Sequence, residues 1–314
     1  MKMIKIFLVT TSLAVTSIAF AEQREVNQSL DVSTDGFVHI NVVRGVVTVT
    51  GWEKNQVEVR GELDEQVEEF IFEGNGNETR IEVRIPRSRG MRYFRDETDL
   101  TIRIPGNSQL RVTGVSTDVE VKKVNGSVEV GVVSGDVSLR GGTGRIVLQT
   151  VSGEIELRDA NGRIRLKSVS GDIESYETTG SSTYGTVSGS ILVENGGEEL
   201  KIESVSGDIE VIRTDFFTIA GHSISGDIEI RGDMKQGGSI EFDNVSGSIR
   251  LRLGGDVDSR FDLETGSGSI RNRLTNDRPK VSKYVRDESL RFIMGEGSGE
   301  IILSTRSGDI TLSN

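Results

Sequence analysis

The sequence predicts an all-β chain wound as a parallel β-helix or β-solenoid, with about 18 to 21 residues per coil beneath an N-terminal strand-rich cap. Three observations predict it. Gly126, Gly135, Gly144, Gly153, Gly162, Gly171, Gly180 and Gly189 stand nine residues apart. Alternate members are more alike than neighbours: Gly135, Gly153, Gly171, Gly189 and Gly207 each follow Val-Ser at intervals of eighteen, so two units make one coil. Residues two and four beyond each glycine are usually aliphatic, as in Ile155 and Leu157 or Ile209 and Val211, which is the alternation of a strand with one buried face. A nine-residue unit is too narrow to bury that face alone and does so by stacking on the next coil. About ten coils are expected, forming a rod of roughly 45 to 50 Å at the strand spacing.

In chain order, residues 1–21 read as an export signal: Lys2 and Lys5, an apolar run from Ile6 to Ala14, then Ala19-Phe20-Ala21 as a small-x-small cleavage site. Cleavage there leaves Glu22 first and takes the formal charge from -12 to -14, because two lysines leave. No second apolar run of spanning length follows, so no transmembrane segment is expected in the mature chain. Residues 22–115 form the strand-rich N-terminal cap and first coils. Within them, "RIEVRIP" and "LTIRIP" read as edge or capping strands stopped by proline, and Arg87 to Asp99 as a polar loop carrying Arg87, Arg89, Arg92, Tyr93, Phe94 and Arg95. Residues 116–276 are the regular repeats. Residues 277–298 are an irregular insertion that holds either a short helix or a protruding strand pair, and residues 299–314 are closing repeats.

The glycines answer the repeated "VSGDI" motif structurally. Glycine is favoured where a stacked chain turns sharply or meets the neighbouring coil without a Cβ, and flanking Ser and Asp bond backbone amides at the corner. A second aliphatic two residues before the glycine, as in Val133, Val151, Val169, Val187, Val205, Ile224 and Val245, has the same parity as the strand that follows. A calcium-binding β-roll needs consecutive glycines with aspartate, and here single glycines precede Asp136, Glu154 and Asp172 while Ser190 and Ser248 break the series.

The chemistry available is sparse. The acidic charge argues against nucleic acid, whose binders need a concentrated basic surface. The chain has no cysteine, so neither disulfides nor a lipidated cysteine is available. His39 and His222 lack metal-ligand neighbours at familiar spacing, and His222 is placed at a corner. Each "SG" serine recurs with its corner, whereas a nucleophile stands apart beside a base. Trp52 reads as a cap residue. An eighteen-residue coil aligns Asp136, Glu154, Asp172, Asp208 and Asp227 in one outward file and Glu156, Glu174, Glu210 and Glu229 in a second, with Arg145, Arg163, Arg165 and Lys167 on another side. Stacked carboxylates repel and are relieved by solvent, by weak Ca²⁺ binding or by a cationic partner.

"LTIRIPGNSQLRVTGVSTDVEV", leading into serial "VSGDI" units and closing on "GSGEIILSTRSGDITL", resembles a bacterial adhesin-candidate family of exported β-helical domains that includes LiaG-like proteins. The resemblance covers roughly residues 37 to 314 and implies a periplasmic, outer-surface or secreted protein without an established catalytic set. The expected function is a non-enzymatic scaffold, adhesin-like or engaged with an envelope protein or polysaccharide, with the file from Asp136 to Asp227 as its polar surface and no cofactor. The alternative is a carbohydrate-active β-helix using paired acids on that side.

Overall fold

The computed structural model describes residues 24–86, 97–282 and 286–314, and every regular element in them is a strand. The export segment and the arginine and aromatic residues from Arg87 to Arg95 lie outside the described residues. A representative coil runs along one face as Thr143–Gln149, turns, and runs along a second face as Ile155–Arg158. The next coil repeats this with Asn161–Lys167 and Ile173–Tyr176. Pairing is parallel and offset by eighteen: Ile146 lies against Ile164, Leu148 against Leu166 and Ile155 against Ile173. The solenoid read from the spacing is the fold.

The first face carries twelve parallel rungs among the described residues. The second also carries twelve. The rod is thus two coils longer than the spacing suggested, about 53 Å at ~4.8 Å per rung. Where the sequence interval stretches, the offset grows to nineteen between Glu199 and Thr218 and to twenty-one between Ile228 and Ile249. The additional residues are absorbed as register shifts between Ile212 and Thr214 and between Phe216 and Thr218, leaving the ladders on either side in step.

Inside, equivalent aliphatics stack in columns such as Val137, Ile155, Ile173 and Ile191, each at most 1 % exposed. Each column takes one side chain per rung, and the largest fully buried side chains in this thin core are Tyr184, Phe216 and Phe242. Tyr184 meets its hydroxyl requirement with the Ser175 hydroxyl at 3.0 Å.

Both ends depart from simple winding. Phe37–Trp52, early in the chain, is not the outermost coil; it lies between the rung made by Glu78–Arg84 and Asp99–Pro105 and the rung made by Gln109–Lys122. At the other end, Gly299–Ser307 and Ile310–Ser313 insert between the coil ending in Ile249–Leu253 and the coil of Ser259–Thr265 and Ile270–Asn272. The outermost coils are then covered by antiparallel strands: Glu69–Asn75 and Gln56–Leu63 at one end, Glu288–Met294 at the other. Such covers stop further parallel pairing at the rod ends. The choice left open for residues 277–298 resolves as a strand pair, Lys280–Val281 against Glu288–Met294, with Phe292 stacked on Phe261 at 4.3 Å between centroids.

Candidate functional site: a corner groove beside an acidic ladder

The corner between the two faces is built by the "VSGD" motif, one residue at a time. A Cβ on Gly171 would lie 1.9 Å from the Gly153 carbonyl oxygen, and one on Gly189 would lie 2.3 Å from that of Gly171. Coils touch backbone to backbone here, so only glycine fits. The small residue three positions earlier points inward and supports the same carbonyl of the preceding coil: the Thr150 hydroxyl donates to Gly135 O at 3.3 Å and that of Thr305 to Gly247 O at 3.2 Å. The hydroxyls of Thr186, Ser204 and Ser223, in three consecutive rungs, are buried without a partner among the described residues.

The residue after the glycine has its own structural task. The turn interrupts the strand ladder and leaves this residue's amide without a carbonyl; the aspartate one coil earlier takes it. The Asp136 amide donates to Asp118 Oδ1 at 3.0 Å, Glu154 to Asp136 at 2.9 Å, Ser190 to Asp172 at 2.7 Å and Asp227 to Asp208 at 2.8 Å. Asp309 does the same for Ser269 at 2.9 Å. Where the column carries Glu154 or Ser190, no such bond reaches the next amide among the described residues. The structure therefore places Asp136, Glu154, Asp172, Asp208 and Asp227 in one outward column, adds Asp118 and Asp309 to it, and gives most of its aspartates an amide to hold.

Two measurable consequences arise. Asp172→Ser removes the bond to Ser190 and is expected to cost about 1 kcal/mol, read as a small fall in urea midpoint; no loss would show the bond to be idle. Glu154, lacking an amide and flanked by acids, has its carboxyl held above the ordinary glutamate range, first by burial and then by the carboxylates of Glu174, Asp136 and Asp172. A raised folded-state value favours folding while the group is protonated, and that contribution is lost as pH rises through it. Glu154→Gln is thus expected to melt slightly above the parent at pH 7, with the gap closing as pH falls below the glutamate range. A gap independent of pH would contradict this.

The second acidic file is largely neutralised by the column beside it. Arg158 pairs with Glu156, Lys122 with Glu120 at 2.5 Å, and Arg231 with Glu229 at 2.6 Å. Tyr176 donates to Glu174 at 2.7 Å, and the Arg158 guanidinium lies 3.9 Å from the Tyr176 ring centroid. Arg145 and Arg163 share a column on the first face, and Arg165 lies beside Val147 in the next.

The valine of the motif is where the structure departs from the parity argument. Val151 follows Ile146, Leu148 and Thr150, which all point inward along the first face, so Val151 points out. Parity counted backward from Ile155 fails because the glycine corner resets it. Val115, Val133, Val151, Val169, Val187, Val205, Ile224 and Val245 consequently form an external rail through eight consecutive rungs, each 38 to 49 % exposed. Its backbone is fixed by bonds between coils, such as Ser152 N to Val133 O and Ser170 N to Val151 O, both 2.8 Å. Along the rail runs a groove of about 700 Å³, whose opposite wall carries Gln149, Lys167, Gly185, Glu203 and His222.

A model of the Toastrack DUF4097 family matches residues 38–239 and again residues 223–313. The chain belongs to the Toastrack family. No curated protein matches the sequence. Among solved structures, this Toastrack chain is similar to a candidate adhesin from Parabacteroides distasonis (10 % identity, 93 % of this chain and 98 % of that one, TM-score 0.47). It is also similar to a candidate adhesin from Bacteroides fragilis (14 % identity, 93 % and 98 %, TM-score 0.39) and to a candidate lipid-binding protein from P. distasonis (11 % identity, 92 % and 96 %, TM-score 0.38).

The remaining singled-out residues of this Toastrack domain are dispersed. His39 faces out from the first face, 3.3 Å from Glu78, seven coils away from His222. His222 lies within the strand Ile209–Ser225 and not at the corner, as a wall of the groove. Trp52 donates its indole N–H to Gln56 O at 2.7 Å and lies under Lys54 and Arg103.

Proposed function

We propose that this Toastrack protein is an exported, non-enzymatic scaffold of the periplasm or cell surface. It engages a macromolecular partner, an envelope protein or polysaccharide, through many small repeated contacts along its corner. One observation carries the reading: the outward rail presents the same kind of apolar side chain in eight successive rungs on a backbone fixed by hydrogen bonds. Repeated weak contacts on one rigid body sum to useful avidity, whereas catalysis gathers dissimilar groups once around a reacting centre. The column from Asp136 to Asp227 is the polar border of that surface, favouring cationic groups or contacts bridged by weakly held Ca²⁺.

The test is to offer the purified chain acidic and neutral polysaccharides and an envelope protein fraction, with and without Ca²⁺. Binding without product, weakened by Val187→Asp, supports the reading; turnover of a glycan abolished by changing one adjacent acid pair overturns it. Cell fractionation with determination of the mature N-terminus tests export, and an intact Met1 in the cytosol would refute it.

A further inference from the structure

We propose that the rail also pairs two copies of this chain face to face and antiparallel, about a two-fold axis through the rung of Val187. The inference rests on the rail being a binding surface, and it names one partner. A self-complementary interface must match itself under the rotation, residue i meeting j while j meets i. Centred on Val187, the members from Val133 to Val169 meet those from Val205 to Val245, so apolar side chains meet across seven rungs; the eighth member, Val115, falls beyond them, opposite Arg306.

The column on the far wall of the groove is self-complementary about the same rung. Gly185 occupies the centre, and with no side chain it leaves room for its own copy on the axis. One rung away on opposite sides stand Lys167 and Glu203; two rungs away, Gln149 and His222; three rungs away, Gly131 and Asp243. Antiparallel docking therefore sets Lys167 of each copy opposite Glu203 of the other, twice, without a like-charge pair in this column. Glu203 is already held in place by Lys201 at 2.8 Å, whereas Lys167 has no ion-pair partner among the described residues.

Charge also bounds the contact. The next column outward would oppose Arg165 to Lys201, and beyond the serines on the other side the acidic ladder would face itself. The interface is confined to a strip roughly 34 Å long and about four residues, or ~13 Å, wide. Its area of roughly 450 Å² per copy is below the ~800 Å² of a standard stable complex, so the pairing is transient and of micromolar or weaker affinity.

The chain contains no cysteine, which permits a position-specific test. Under mild oxidation, Val187→Cys is expected to link to its own copy, since it lies on the axis, whereas Val133→Cys is not. A mixture of Val169→Cys and Val205→Cys should link to each other more than to themselves. Sedimentation equilibrium should show a dimer of the 34.2 kDa chain at high concentration. Lys167→Glu and Glu203→Lys should each weaken it several-fold, and the double variant should restore it, a rescue that a merely structural role would not produce. Circular dichroism of each variant verifies the fold. A parent that stays monomeric at about 1 mM, equal linking at Val187 and Val133, or failure of the charge swap to restore pairing overturns the proposal. None of these outcomes affects whether the same protein binds polysaccharide or envelope protein, which is read separately.

Discussion

Gly207→Ala is expected to destabilise the protein by ~3 kcal/mol or more, although it adds a single methyl group. Gly207 has φ of +130°, which L side chains rarely adopt, and its Cβ would lie 2.0 Å from the Gly189 carbonyl oxygen. Neither strain can be relieved locally, because that carbonyl belongs to a corner clamped by the coil beneath. The matched control is Gly131→Ala, whose added Cβ would meet nothing within 4 Å. It should shift the urea midpoint by no more than about 0.5 kcal/mol equivalent. Equal midpoints for the two variants would show that the corner glycines are not there to let the coils touch.

Ile155→Asp is the second large effect. The side chain is 0 % exposed and stacked between Val137 and Ile173, so an aspartate there has neither water nor a partner, a loss of several kcal/mol. Because each coil contacts only its neighbours, the damage should also divide the rod: the coils on either side unfold in separate transitions instead of one. Val151→Asp, four residues earlier and pointing out, should leave the midpoint almost unchanged. The pair tests which way the chain faces on each side of the glycine, and similar losses at both positions would contradict the observed orientation.

The middle of the molecule was legible because its rules are local and repeated. Gly153, Ile155 and Leu157 recur with the coil, so period and strand alternation fixed both the stacking offset and the inward columns. Three features were not legible, each for a physical reason. The outward turn of Val151 depends on the backbone at a corner, where alternation counted from one strand does not carry into the next. The amide held by Asp172 belongs to a residue eighteen positions later, and nothing in the side chain reveals that its oxygen is occupied. The order of coils at the ends is a matter of long-range pairing: "GSGEIILSTRSGDITL" has the same local pattern whether it closes the rod or slips beneath the coil before it. As for the candidate site, the acidic column could be placed in advance, but the rail could not, since its valines resemble core residues until the corner is seen.

The coil order at the two ends resembles the finish of a rope whipping, where the tail is tucked under the last turn. Residues 299–313 are gripped between two neighbouring coils, and residues 37–52 are gripped likewise. The outermost parallel turns, around Glu78–Arg84 and Ser259–Thr265, are mid-chain segments, each held by a parallel rung on one side and an antiparallel strand on the other. A plain solenoid can unwind by shedding turns from a loose end; among the described residues this one presents no loose parallel turn to shed. Repeats could be added or removed between the two tucks with little disturbance, whereas deleting residues 299–314 would pull out a rung from within and leave the turn above it sitting on nothing. Rod length is free to vary in the middle, and both finishes must be kept whole.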